Sequence, residues 1–167
     1  LAVTGSVGLT SGGAATVVEA NGLDLGASTV GGALSATATL GNITDSDALA
    51  ITGTSTFITS ADDATITLDT TTNAFASAVA VTTNGSTSSH VVIDGGTTTL
   101  DMGASTVDGN LTITSGHATG LTDSGTVTVA GNLVATADHG SGTIALDNAL
   151  AVTGSVGLTS GGAATVV

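Results

Sequence analysis

Thirteen carboxylic acids and three histidines are the only side chains here suited to acid–base or metal chemistry, because Lys, Arg and Cys are all absent. Six of the acids recur in a similar place. Glu19, Asp45, Asp69, Asp94, Asp123 and Asp147 each follow an apolar stretch, as in ITLD at Ile66–Asp69 and IALD at Ile144–Asp147. If those stretches stack on one another, the six acids fall into one approximate column. Like charges about 4.8 Å apart, the spacing of neighbouring strands, repel by about 1 kcal/mol in water. With no basic side chain available, only solvent cations, protonation or backbone N–H groups relieve that repulsion. Two readings stay open. Ca²⁺ could sit between coils, since hard oxygen ligands suit it, or each carboxylate could accept hydrogen bonds at its own turn. Neither an EF-hand loop nor a Gly-rich nonapeptide calcium repeat is present, and no other cofactor is expected.

His90, His117 and His139 recur at intervals close to those of the acids. They could form a short ladder beside Asp138, offering a transition-metal site or a pH-sensitive edge, or be three exposed loop residues. Asp62 and Asp63 are adjacent, and Asp45 and Asp47 lie two apart. Paired carboxylates serve glycoside hydrolysis, but neighbours along a strand point to opposite faces. Chemistry on acidic glycans also wants a cationic clamp, which is missing, so the expectation is a protein that is not an enzyme. Thr-x-Thr rows such as Thr65-Ile66-Thr67 and Thr112-Ile113-Thr114 raise a separate reading, an ice-binding face. Asn42, Asn84 and Asn110 open N-x-S/T sequons.

The elements that carry these groups are written in an unusual alphabet. The formal net charge is −13, and Pro, Trp and Tyr are absent. Nucleic-acid binding and adhesion to an anionic membrane both require cationic side chains, so neither partner is expected. No apolar run approaches the roughly 18 residues of a membrane span, and no charged n-region of a signal peptide appears. Disorder is disfavoured, because 41% of residues are hydrophobic and the mean hydropathy is +0.52. Those residues are Ala, Val, Leu and Ile, with Phe57 and Phe75 the only aromatics. Such side chains fill only a thin, regular core.

Internal repetition decides the architecture. Leu1–Val18 reads LAVTGSVGLTSGGAATVV, and Leu150–Val167 reads the same eighteen letters, giving a period of 149 residues. A weaker repeat lies inside it: LDLGASTV at Leu23–Val30 against LDMGASTV at Leu100–Val107, an offset of 77. The unit therefore consists of two diverged halves, 23–99 and 100–171, the second running on into the following repeat. Turn pairs then mark segments opening at Leu23, Ala48, Ala74, Leu100, Thr126 and Ala149. Within them apolar and polar residues alternate with period two, as in Leu111-Thr112-Ile113-Thr114, which is strand periodicity. Units so short cannot fold alone but bury a continuous core when stacked. The expected fold is all-β: a right-handed parallel β-helix, or β-solenoid, of about six coils of 23–26 residues per 149-residue repeat. The competing architecture, a string of immunoglobulin-like sandwiches, usually carries a buried Trp or Tyr anchor that is lacking here.

Runs such as VAGNL at Val129–Leu133, LTITSG at Leu111–Gly116 and LTDSGTVTV at Leu121–Val129 resemble the repeats of filamentous haemagglutinin-like and autotransporter-type bacterial surface proteins. The resemblance covers the whole chain and rests on repeat style. It implies a β-helix exported to the cell surface, acting in adhesion or as extracellular matrix, and it carries no catalytic residues to transfer. The identical return of Leu1–Val18 at Leu150–Val167 departs from the degenerate repeats usual there and points to a filament. The expected role is a structural segment of an extracellular bacterial filament, with a giant adhesin stalk as the alternative. An ice-binding or polysaccharide-active solenoid is a lesser reading. The expected partner is self, by coil stacking or by continuous tandem repeats along a filament.

Overall fold

Alternation along the chain becomes inside and outside. In Leu34–Ala38, Leu34, Ala36 and Ala38 are buried while Ser35 and Thr37 face outward, and the same rhythm runs through Leu111–Ser115. The computed structural model describes residues 1–167 and is all-β: twenty-two short strands joined by corners, with no helix. Every strand pairing is parallel, each strand lying on its counterpart one coil away. Backbone donors and acceptors are thus satisfied along the stack, and the lack of Pro leaves the ladders unbroken. This is a β-solenoid.

Three sheets wall it. A seven-stranded sheet runs through 23–25, 43–45, 66–68, 91–94, 111–115, 133–137 and 156–160. An eleven-stranded sheet has its main path through 15–19, 34–38, 55–62, 79–84, 100–102, 121–123, 144–146 and 164–166. A four-stranded sheet holds 10–11, 28–30, 49–51 and 74–75. Inward side chains of all three form one core cluster of 31 residues. Phe57 and Phe75 meet edge to face there, their ring centroids 6.2 Å apart; elsewhere the interior is aliphatic.

The coil count departs from expectation. Strand 15–19 is separated from 164–166, which repeats its sequence, by seven steps along the eleven-stranded sheet. Val7 bridges Leu25 at the foot of the seven-stranded sheet, and its equivalent Val156 opens the strand seven steps on. One full repeat of the sequence therefore makes seven coils rather than six. Coil length departs too: the register partners Thr10 and Thr29 lie closer along the chain than the expected 23–26, while Ile66 and Val91 lie within that range. At about 4.8 Å per coil the axial repeat is about 34 Å.

The cause is a strand that turn motifs do not announce. Each half-repeat holds ten strands, one more than three coils require; in the first half the extra one is Val91–Asp94. After it, residues 95–99 cross over Thr71 and Asn73 without forming a strand, and Thr98 Oγ1 accepts the Phe75 N–H. The single strand Val79–Asn84 is then overlaid by two, Leu100–Met102 and Ser105–Val107, bent at Gly103. From there on the frame is turned. LDLGASTV of the first half lies on the seven- and four-stranded sheets, whereas LDMGASTV of the second lies on the eleven-stranded one.

Candidate functional site

That turn of the frame disperses the acids. Asp45, Asp69 and Asp94 follow consecutive strands of the seven-stranded sheet, Asp123 and Asp147 consecutive strands of the eleven-stranded sheet, and Glu19 stands apart at the end of 15–19. The single column expected from the sequence is three short ones, because it assumed that both halves start on the same face. No group of three or more His, Asp or Glu side chains is close enough to share a metal ion.

What the acids do is hold corners. The Glu19 carboxylate, 1% exposed, accepts the N–H groups of Val3 and Ala20. Asp45 Oδ1 accepts the Asp69 N–H at 3.0 Å, and Asp45 Oδ2 accepts from Asn73 Nδ2 at 2.6 Å. Asp123, in the equivalent place one half-repeat on, accepts the N–H groups of Asp147 and Asn148. Asp94 accepts the Gly96 N–H at 2.7 Å. Several of these bonds cross from one coil to the next rather than closing the residue's own turn. Burial pushes the Asp45 carboxyl above its ordinary value, against the Asn73 amide and the backbone N–H groups of Asp69 and Thr70, with the Asp69 charge adding to the rise. Burial raises Asp94 as well; the Gly96 N–H opposes it and the charges of Asp138 and Asp69 reinforce it. With no cation in the chain, these carboxylates have only amide donors to oppose desolvation.

The adjacent acids are turn caps too. Asp62 accepts from Asn84 Nδ2, Asp63 from the N–H and hydroxyl of Ser86, and Asp47 from the Ala48 N–H. The histidines fall on two corners. His117 and His139 follow the paired strands 111–115 and 133–137, so they stack. His90 precedes strand 91–94 at a different corner, where its Nδ1 accepts the Asn110 N–H. His117 Nδ1 accepts the Thr119 N–H and lies 2.9 Å from Thr99 Oγ1, while His139 Nδ1 accepts the Ser141 N–H. Two imidazoles and one, rather than a ladder of three, is the arrangement.

Outward threonines form broken rows. Thr44 and Thr67 pair, then Val92, Thr112 and Val134 follow in the same register, with Asp94, Thr114 and Thr136 beside them. Of the sequon asparagines, Asn42 and Asn110 use Oδ1 to accept the N–H of Thr65 and of Asn132 in the next coil. Asn84 donates through Nδ2 to the Ser60 carbonyl and Asp62.

Several polar anchors escape a search for chemistry. Ser28 Oγ donates to the Gly26 carbonyl at 2.8 Å and accepts the Leu9 N–H at 3.1 Å. Ser105 repeats both bonds with Gly103 and Val81, at the same distances. Asn73, buried, accepts the Leu49 N–H, and Asn132 accepts the Ser155 N–H. The twin GASTV motifs were the one signal that could have found Ser28 and Ser105; nothing local marks Asn73. Ser55 Oγ and Thr59 Oγ1 are buried without a hydrogen-bond partner, and no neighbouring group explains them. The structure contains no pocket, and no helix long and apolar enough to cross a membrane.

No curated protein and no solved structure matches the chain. A family described as repeats of unknown function, DUF5649, matches residues 12–82 and again residues 88–159, one match for each half-repeat. The chain, two tandem copies of that unit wound into one solenoid, belongs to the DUF5649 repeat family.

Proposed function

We propose that this chain is a structural segment of an extracellular bacterial filament, in which successive repeats stack as one continuous solenoid. The observation that carries the reading is the return of the fold at the period of the sequence. After seven coils, strands of equivalent sequence lie on the same two sheets, so a further repeat can be added without a change of axis. Every donor and acceptor of a solenoid edge is met by the next coil, which suits indefinite extension. Surface carboxylates engaged as corner caps, and a wall without a pocket, fit a mechanical role rather than a catalytic one. The absence of Lys and Arg leaves trypsin-like proteases no cleavage site, an advantage for an exposed fibre. The likeness in repeat style to filamentous haemagglutinin-like surface proteins supports a place at the cell surface.

Electron cryo-microscopy of the native assembly tests this. The expected result is a strong axial reflection at about 4.8 Å with a repeat of about 34 Å, seven coils at the strand spacing. Particles showing the repeat only as a short stalk beneath a non-repeating domain would turn the reading to the adhesin. Absence of the strand-spacing reflection along the axis would end it.

A further inference from the structure

Residues 1–18 and 150–167 are the same sequence in two different situations. Leu1–Val18 is seated against residues 19–38. The Val7 N–H donates to the Asp24 carbonyl, the Val7 carbonyl accepts the Gly26 N–H, and the Leu9 carbonyl accepts the Thr29 N–H. Ala15–Glu19 pairs residue for residue with Leu34–Ala38. Two side chains complete the seat: Glu19 accepts the Val3 N–H, and Ser28 Oγ accepts the Leu9 N–H. Leu150–Val167 uses its opposite edge, lying on 127–129, 133–137 and 144–146. The edge that corresponds to the seated one is open, with Val156 43% and Leu158 37% exposed.

We propose that Leu150–Val167 of one chain takes the seat of Leu1–Val18 on a second copy, joining two solenoids end to end by exchange of an identical segment. The joint rests on the filament reading and names the surface that would make it. Residues 19–38 of the second copy would meet the same backbone groups and the same side chains in either case, so seat hydrogen bonds lost with the displaced segment are regained with its replacement. Such exchange of identical elements is a low-cost route to assembly, and an open parallel edge is a template for it.

Charge favours the same place. All thirteen acids of the chain lie between Glu19 and Asp147, and the eighteen-residue segment contains no ionisable side chain. In a molecule of net charge −13, that makes it a surface on which a second copy meets little electrostatic opposition. The displaced Leu1–Val18 is likewise uncharged, and its freedom as a tail offsets part of the order imposed on the joint.

Disulfide trapping tests the exchange, since the chain has no native Cys. Thr16 pairs with Ser35 inside one chain, and Thr165 is the equivalent of Thr16. A full-length Thr165→Cys/Ser35→Cys variant, refolded at high concentration and oxidised, is expected to give a ladder of multiples of 15.5 kDa on a non-reducing gel. The ladder should lengthen with concentration and collapse when free LAVTGSVGLTSGGAATVV peptide competes for the seat. Each single-cysteine variant can give no more than a dimer. The Thr16→Cys/Ser35→Cys chain should close within itself and run as a monomer, reporting that the seat is formed. A monomeric Thr165→Cys/Ser35→Cys chain, beside a fully oxidised Thr16→Cys/Ser35→Cys control, overturns the exchange. If the native assembly still shows both axial spacings, the exchange falls alone; if those are missing too, the filament falls with it.

Discussion

Val7–Ser11 and Val156–Ser160 are the same five residues, VGLTS, and they fold differently. In the first, Val7 bridges Leu25 on the seven-stranded sheet, Gly8 and Leu9 turn a corner, and Thr10–Ser11 pairs with Thr29–Val30 on the four-stranded sheet. The second is one straight strand, paired along its length with Leu133–Ala137. The neighbours differ in the same way. Leu23–Leu25 and Ser28–Val30 are two short strands with a corner at Gly26 and Ala27, whereas Leu133–Ala137 has no corner. A backbone that must pair with the coil beside it takes its bends from that coil. Alternating Val, Gly, Leu, Thr and Ser accept either shape, so local sequence leaves the choice to the stack. The identical segments are therefore joints between two frames, and the frame belongs to the half-repeat.

Removing the template should break the comparison most severely. Leu25 is fully buried opposite Val7, so Leu25→Ala is expected to cost about 2–5 kcal/mol in urea unfolding. The Gly26 amide, bound to the Val7 carbonyl, should lose hydrogen-exchange protection ahead of the rest of its sheet. Uniform loss would mean that the corner does not depend on this contact.

The acid corners come next. Asp123→Ala leaves the N–H groups of Asp147 and Asn148 without their acceptor, at about 1–3 kcal/mol. Glu19→Ala should release the Val3 and Ala20 amides in the same way, with the exchange confined to the first copy. A Glu19→Ala effect spread into 150–167 would contradict the separateness of the two seats.

One substitution should act with opposite signs in the two copies. A Cβ on Gly8 would lie 3.0 Å from the Ala27 carbonyl oxygen, while on Gly157 the nearest atom is 3.9 Å away. Gly157→Ala sits in a regular strand and should stabilise by about 0.5–1 kcal/mol through lost backbone freedom in the unfolded chain. Gly8→Ala should destabilise at its crowded corner. Thermal melts of the pair decide it, and equal shifts of one sign would mean that both copies share one backbone shape.

The smallest expected effect is a pH slope carried by the first column of acids. Asp94 titrates above 3.8 because of burial. Below that value both folded and unfolded chains hold the proton, and stability is undiminished. As pH rises through the raised value, the folded chain must ionise a desolvated group that the unfolded chain ionises more readily, so stability falls. Asp45 acts in the same direction. Asp94→Asn keeps an oxygen for the Gly96 N–H and should flatten the slope between pH 4 and neutrality, measured as the urea midpoint. An unchanged slope would remove Asp94 as its source.

Much of this was legible in the chain before folding. Leu111-Thr112-Ile113-Thr114 alternates in the sequence as it does in the wall, and the acid that closes each apolar run does stand at a corner. What escaped was phase. Val91–Asp94 looks like the end of a unit when it is an additional strand, and the chain from Gly95 to Thr99 spans a face without forming one. Those two stretches set the seven coils and divide the acids and the histidines between corners. Asn73 shows the same limit: its neighbours are three threonines and an alanine, and only stacking brings it under Asp45 and Leu49.

Alternation, the absence of Pro and a small aliphatic alphabet determined by themselves that this protein is a parallel β-stack with a thin core, because those are local requirements of a strand that must pair on both edges. The number of coils, the face on which each acid emerges and the bend of each VGLTS segment were decided by the tertiary structure. They depend on which coil lies next door, and a neighbour a whole coil away along the chain is met only when the stack has formed.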